Sequence, residues 1–314
     1  MNWDAWQEVG MAARVVGRPA TRTPGPRALG NPCSIRAWWT RLPSRSTRRS
    51  SAAPDWLVDE HRMLGISVVP GTAYLEMVRA AAADRGLGAA VRFEDVLFLA
   101  PVVLGEGQAR EVRVVMEKVA DEFRFSVVSA VGGAAGGERW SEHVTGRVLS
   151  LVRPNTNDRT ETPYEVSELV ERHGLNDAGE VSHDGPMTFG PRSQCVERIW
   201  KGEGMALARL SVPERYGEEV AALGLHPFLL DIATGFASLY LERDYLMPLR
   251  YRAIDVLGPL PARIHSLLTD RGDQEGTTRE TLSFDVTLFD DDGQVLLRAE
   301  EFVMKRRAPS IRSW

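Results

Sequence analysis

Two short stretches carry residue types that can move protons. In "DEHRMLGISVVP" one histidine, His61, stands nine residues before Pro70, and in "LHPFLLD" one carboxylate, Asp231, follows Pro227 inside an apolar run. An imidazole titrates near about 6.5 in water, and burial lowers that value, so a buried His61 would be a neutral base. An aspartate ordinarily ionises near about 3.9, but apolar surroundings raise that value. Phe228, Leu229, Leu230 and Ile232 flank Asp231 and would let its carboxyl hold a proton and act as an acid. A base and an acid of this kind can take a hydrogen from carbon and protonate a leaving oxygen. Each residue also has a plainer reading. A histidine among charges is commonly a solvated surface residue. An acid in the first turn after Pro227 gains a few tenths to about 1 kcal/mol from the helix dipole without any chemistry.

The elements that would position the two groups occur twice along the chain. Pro70 and Gly71 open "GTAYLEMVRAAAADRG", where Tyr74, Met77, Val78 and Ala81 fall at helical spacing and Gly86 ends the run. Strand-like segments follow: "VRFEDVLFLAPVVL", "EVRVVMEKV", "FRFSVVSAV" and "SEHVTGRVLSLV". About 157 residues after Pro70, Pro227 opens "FLLDIATGFASLYLERD", followed by "LRYRAIDVLGPLPARIHSLL", "TLSFDVTLFD" and "QVLLRAEEFVMKR". Two copies of one α+β unit are expected, each an antiparallel sheet wrapped around a buried helix, with a join near "RPNTNDRTETP". Thr234 and Gly235 are poor helix formers, so another backbone is expected to pass close to them.

Composition narrows the class of function. With 314 residues and 43% apolar content the chain can bury a large core, and its net charge of −5 is mild. Basic and acidic residues interleave beyond the N-terminal tail, so neither a nucleic-acid footprint nor a membrane-binding face is expected. The longest apolar stretch, "VLFLAPVVLG", is about half the length of a bilayer span. Cys33 and Cys195 have no ligand-like spacing, and a reduced cytoplasm fits them. Cys195 reads as a core residue, His226 as a structural hydrogen-bonding group, and His143, His173, His183 and His265 as ordinary strand or loop residues. Asp290, Asp291, Asp292 and Gly293 read as a hairpin turn rather than a calcium loop. Residues 14–53, rich in Arg, Pro and Ser and free of acids, read as a linker.

Three separated motifs together carry a family resemblance. "HRMLGISVVP" fits H-x-x-x-G-x-x-x-x-P, "FGPRSQ" is similar to a Y-G-P-x-F-Q motif, and "LHPFLLD" resembles H-P-x-L-L-D. In that order they resemble the dehydratase domains of modular polyketide synthases, which have a double hot-dog fold. "NWDAWQEVGMA" resembles the closing segment of a ketoreductase domain of such synthases. The resemblance implies an upstream tail and linker over 1–53, hot-dogs over 54–155 and 156–308, and a tail over 309–314. It implies loss of water from a 3-hydroxyacyl thioester carried on the phosphopantetheine of an acyl carrier protein, with His61 as base and Asp231 as acid. Gly65, Pro70, Gly71, Phe189, Gly190, Pro191, Leu230 and Gly235 would line the substrate, with an amide of Gly71 or Thr72 at the thioester oxygen. No metal or other cofactor is implied. Neighbouring synthase domains and a second copy of the chain, forming a homodimer, are the other expected partners.

The match departs from the family at three positions. Phe189 stands where the motif has Tyr, Ser193 where it has an aromatic residue, and Gly235 where a Gln or His often holds the acid. A ring-closing oxa-Michael cyclase, a double-bond isomerase or an inactive scaffold that docks a carrier protein therefore stand as alternatives.

Overall fold

The structure is a computed structural model and describes residues 33–34, 55–104, 110–131, 139–151, 162–179, 187–241, 245–272 and 281–307. The linker, apart from Cys33–Ser34, and the segments 1–13, 152–161 and 309–314 lie outside these residues, as does His183.

Pro70 caps helix α2 (Gly71–Asp84), and Pro227 is the first residue of helix α5 (Pro227–Leu241). A proline suits the start of a helix because its missing N–H has no acceptor there. Helix α2 is buried from Thr72 through Val78 and again at Ala81 and Ala82, with little polar face, as the sequence pattern implies. Each long helix is followed by strands of one topology. After α2 come β4 (Val91–Phe98), β6 (Val112–Val119), β7 (Glu122–Val131) and β8 (Arg139–Ser150), hydrogen-bonded in the order β4-β8-β7-β6. After α5 come β13 (Tyr245–Val256), β14 (Arg263–Asp270), β15 (Thr281–Phe289) and β16 (Val295–Arg307), in the order β13-β16-β15-β14. The repeat read in the sequence is thus a repeat of topology, as the double hot-dog expectation requires.

The two halves do not keep separate sheets. Strand β4 pairs antiparallel with β13, with Phe93 opposite Ile254 and Arg92 opposite Asp255, so a twelve-stranded sheet runs through both halves. Strands β12 (Met205–Ser211), β11 (Val196–Gly202) and β9 (Asn176–Asp177) extend it beyond β14, and β1 (Cys33–Ser34) lies against β6. An unpaired edge presents a row of free backbone donors and acceptors, and joining the equivalent strands of the two halves removes one such edge from each.

A second, four-stranded sheet carries the first motif. It consists of β10 (Met187–Phe189), β2 (His61–Met63), β3 (Ile66–Val68) and β5 (Val103–Leu104). Strands β2 and β3 form a hairpin whose turn is Leu64 and Gly65, both with positive φ (50° and 81°). Three short α-helices, α1 (Asp55–Asp59), α3 (Val166–Arg172) and α4 (Gly217–Ala222), and two 3₁₀ turns, Pro191–Ser193 and Glu214–Tyr216, complete the described elements.

The helices cross the seam as well. The Thr72 hydroxyl at the start of α2 donates to the Pro227 carbonyl at 2.8 Å. The Glu76 carboxylate accepts from the amides of Gly224 and Leu225 at 3.1 and 2.9 Å and from Arg79 through two contacts of 2.6 and 2.7 Å. One apolar core runs through both halves, from Leu57 and Tyr74 to Phe236, Tyr251 and Phe302.

Candidate active site

Folding brings His61 and Asp231 together from opposite halves: imidazole Nε2 lies 3.7 Å from carboxylate Oδ2. The His61 side chain is 9% exposed and that of Asp231 27%, so the pair is enclosed yet open on the carboxylate side. His61 opens β2, and its Nδ1 lies 2.8 Å from the Val68 carbonyl on the paired strand β3. A carbonyl only accepts, so Nδ1 must carry the proton. Nε2 is then the nitrogen that faces Asp231.

Asp231 occupies the second turn of α5, correcting its expected place in the first. There the dipole's hold is weaker, and desolvation raises the carboxyl's pKa, with His61 opposing in part. The walls are apolar. The Phe189 and Phe228 rings lie 5.7 and 6.3 Å from that of His61, and Leu230 and Cys195 are buried. Burial pushes the Cys195 thiol up to about 12, which fits the core role read from the sequence. The Tyr251 hydroxyl is within hydrogen-bond reach of Thr234 and feels the Asp231 charge, and burial raises its pKa.

The other residues tied to the site by resemblance fall into different places. Phe189 pairs in register with His61 through β10 and β2. The Gly190 amide donates to the Glu60 carbonyl at 2.8 Å, and a Cβ at Gly190 would sit 2.2 Å from Glu60 Cγ, so only glycine fits. Pro191 opens a short 3₁₀ turn, Pro191–Ser193. A Cβ on Gly71 would come within 2.8 Å of the Phe98 ring. Gly65 supplies the β2–β3 turn, beside Leu64, which is 53% exposed, and a Cβ there would meet nothing within 4 Å. Gly235 lies one turn past Asp231, and a Cβ there would also meet nothing within 4 Å. No backbone therefore lies against the side of Gly235 where a Cβ would stand. Helix α5 is thinned there toward open space, and the Thr234 hydroxyl donates back to Leu230 at 2.9 Å.

The remaining candidates are structural. His226 Nδ1 accepts from the Leu229 amide at 3.3 Å, in the manner of a helix cap, and burial lowers its pKa to about 4. His143 bridges Ala100 and Ser129 inside the first half. Asp290 Oδ1 accepts from the amides of Asp292 and Gln294, which makes the acidic run a hairpin turn. Among the described residues no cluster of His, Cys, Asp and Glu could hold a metal ion.

Motif reading missed the shell around the pair. Arg192, Glu60, Glu219 and Trp56 form a packed cluster beside His61, and Glu76 holds the chain leading into α5. Apart from Arg79, which lies three residues from Glu76, their side-chain hydrogen-bond partners lie 27 to 149 residues away, where no spacing rule applies.

Comparison with known proteins agrees with this arrangement. A family model described as polyketide synthase dehydratase N-terminal domain matches residues 161–310, and one described as polyketide synthase dehydratase domain matches 42–130. The chain is 30% identical over 190 residues to polyketide synthase GfsB of Streptomyces halstedii, covering 59% of this chain and 3% of that protein. It is 25% identical over 269 residues to GfsE of the same organism, covering 83% of this chain and 7% of the relative. The chain thus spans only a small part of these synthases. Among solved structures, the dehydratase domain from the CurJ module of the curacin synthase superposes with a TM-score of 0.69 at 22% identity, over 81% of this chain and 88% of that one. An inactive histidine-to-phenylalanine mutant of the CurK dehydratase superposes with a TM-score of 0.64 at 17% identity, over 81% of this chain and 89% of that one. With a double hot-dog fold, a histidine and an aspartate meeting across its seam, and two dehydratase models matched along its length, the chain belongs to the polyketide synthase dehydratase domain family.

Proposed function

We propose that the protein removes water from a 3-hydroxyacyl thioester to give the 2,3-enoyl thioester. The substrate would ride on the pantetheine arm of an acyl carrier protein within a larger synthase. The observation that carries this reading is the placement of His61 Nε2, its Nδ1 held by the Val68 carbonyl, 3.7 Å from a carboxyl whose pKa is raised by burial. His61 takes the hydrogen on the carbon next to the thioester, and the electron pair forms the new double bond as the bond to the hydroxyl breaks. Asp231 gives its proton to the departing oxygen, and water leaves. Imidazolium and carboxylate remain side by side, and one proton passed from His61 to Asp231 restores both. The first-turn amides of α2, those of Gly71 and Thr72, have no acceptor within the helix and suit the charge that develops on the thioester oxygen. The residues already present supply an acid and a base, so the elimination needs no further group.

The CurK dehydratase is described as inactive both as a histidine-to-phenylalanine and as an aspartate-to-asparagine variant, which supports the same pairing of roles here. The test is mass spectrometry of a 3-hydroxyacyl pantetheine thioester incubated with the protein. Loss of one water with wild type and none with His61→Ala is the expected result. Equal conversion by both, or none by either, removes the reading.

A further inference from the structure

Arg192 lies directly after Phe189, Gly190 and Pro191, and its side chain reaches three other elements. Its Nε and Nη2 donate to the two carboxylate oxygens of Glu219 on α4 at 2.7 and 2.8 Å. Its Nη1 donates to Glu60, and its backbone N–H donates to the other Glu60 oxygen at 2.9 Å. The guanidinium lies over the Trp56 ring at 4.9 Å and over the Tyr216 ring at 4.2 Å. Only 13% of the side chain is exposed, so these contacts are little screened by water. A planar fork with two aromatic faces and two carboxylates fixes orientation in a way a flexible ammonium does not.

The partners of Arg192 lead to both halves of the pair. Toward the base, Glu60 is the residue before His61, and its carbonyl accepts from Gly190 while Phe189 pairs with His61. Toward the acid, the Trp56 ring stacks on His226 at 5.8 Å and 7°, and His226 Nδ1 accepts from Leu229 at the start of α5. We propose that Arg192 is a positioning residue for the reaction, setting the spacing between His61 Nε2 and Asp231 Oδ2 by tying β2 to the start of α5. The inference rests on the dehydratase reading above. Displacement of a reacting group by 1 Å costs on the order of 10²-fold in rate, so a hub that fixes such a spacing acts on turnover rather than on binding.

The experiment compares wild type, Arg192→Lys, Arg192→Met and Glu219→Gln for kcat, KM and Tm with a 3-hydroxyacyl pantetheine thioester. Arg147→Met is the control. It breaks an ion-pair hub with Glu94, Asp95 and Glu122 that touches neither His61 nor Asp231. The expected result is a kcat lowered about 10- to 10²-fold in Arg192→Met, with Arg192→Lys and Glu219→Gln between it and wild type and KM within about threefold of wild type. Arg147→Met keeps the wild-type kcat. If Arg192→Met does not fold, the other two variants decide by the same rule. Wild-type kcat in the Arg192 variants, a loss matched by Arg147→Met, or a loss confined to KM overturns the proposal. Crystal structures of wild type and Arg192→Lys give a second reading that needs no turnover: a longer Nε2–Oδ2 separation in the variant supports the proposal, and an unchanged one overturns it. A wild type that does not turn over but shows the lengthened distance in the variant would sink the dehydratase reading alone.

Discussion

At the scale of single residues, the His61–Asp231 pair makes opposite demands on its two members. In the proposed elimination one must be free of a proton on the face where the other holds one. The Val68 carbonyl engages Nδ1 and leaves Nε2 toward the acid, and desolvation favours the protonated carboxyl. Replacing Asp231 by Asn removes the transferable proton and keeps the shape, and kcat is expected to fall by about 10²- to 10⁴-fold, read from steady-state turnover. The same variant should behave differently in unfolding. A carboxyl whose pKa is raised in the folded state binds protons more tightly there than in the unfolded chain, so its contribution to stability falls as pH rises through the unfolded value, near about 3.9, toward the folded one. Asp231→Asn is therefore expected to melt higher than wild type at neutral pH, with the difference vanishing below about pH 4. Thermal scans across pH check this, and equal Tm values at neutral pH would show that burial does not strain the carboxylate. Both residues were legible in the sequence because each sits at a fixed offset from a helix-opening proline. Arg192 and Glu219 were not, because a side-chain pair 27 residues apart leaves no periodic trace.

At the scale of elements, the two long helices were readable from proline starts and apolar spacing, and the strands after them from alternation. Short pieces such as β2, β3 and β10, each three residues long, carry no period, so the small sheet that holds His61 was invisible as a sheet. The neighbours of a strand were hidden too, since alternation says which face is buried and not which strand lies alongside. The contact between α2 and the chain entering α5 is of this hidden kind. Glu76 is 1% exposed and accepts from two amides of the second half while bound to Arg79. Glu76→Ala leaves Arg79 and both amides without their acceptor in a buried place, a change that typically costs about 3 to 5 kcal/mol. The urea midpoint should fall accordingly, and kcat with it as the start of α5 loosens. A variant with wild-type stability would mean that solvent replaces the carboxylate at no cost.

At the scale of the whole molecule, the candidate site exists only because two similar units share one sheet and one core. Phe98 of the first half packs edge-on against Tyr251 of the second at 6.0 Å, and Tyr251 stacks on Phe302 at 4.1 Å. Beside them Arg92 holds both oxygens of Asp255 across the β4–β13 seam at 2.8 and 2.9 Å. Chains of this size often unfold in stages, domain by domain. Here neither half can open without exposing the helix face and strand edge that the other covers. Urea unfolding is therefore expected to be a single transition, the same by tryptophan fluorescence and by far-ultraviolet circular dichroism. Arg92→Met, which removes a partly exposed ion pair, should lower stability by about 1 kcal/mol or less and leave the slope unchanged. Tyr251→Ala opens a cavity in the shared core and should cost about 3 to 5 kcal/mol, still in one step. Two separate transitions in wild type would show that the halves fold as independent bodies. The distance between His61 and Asp231 would then be set by a soft joint rather than by a continuous sheet.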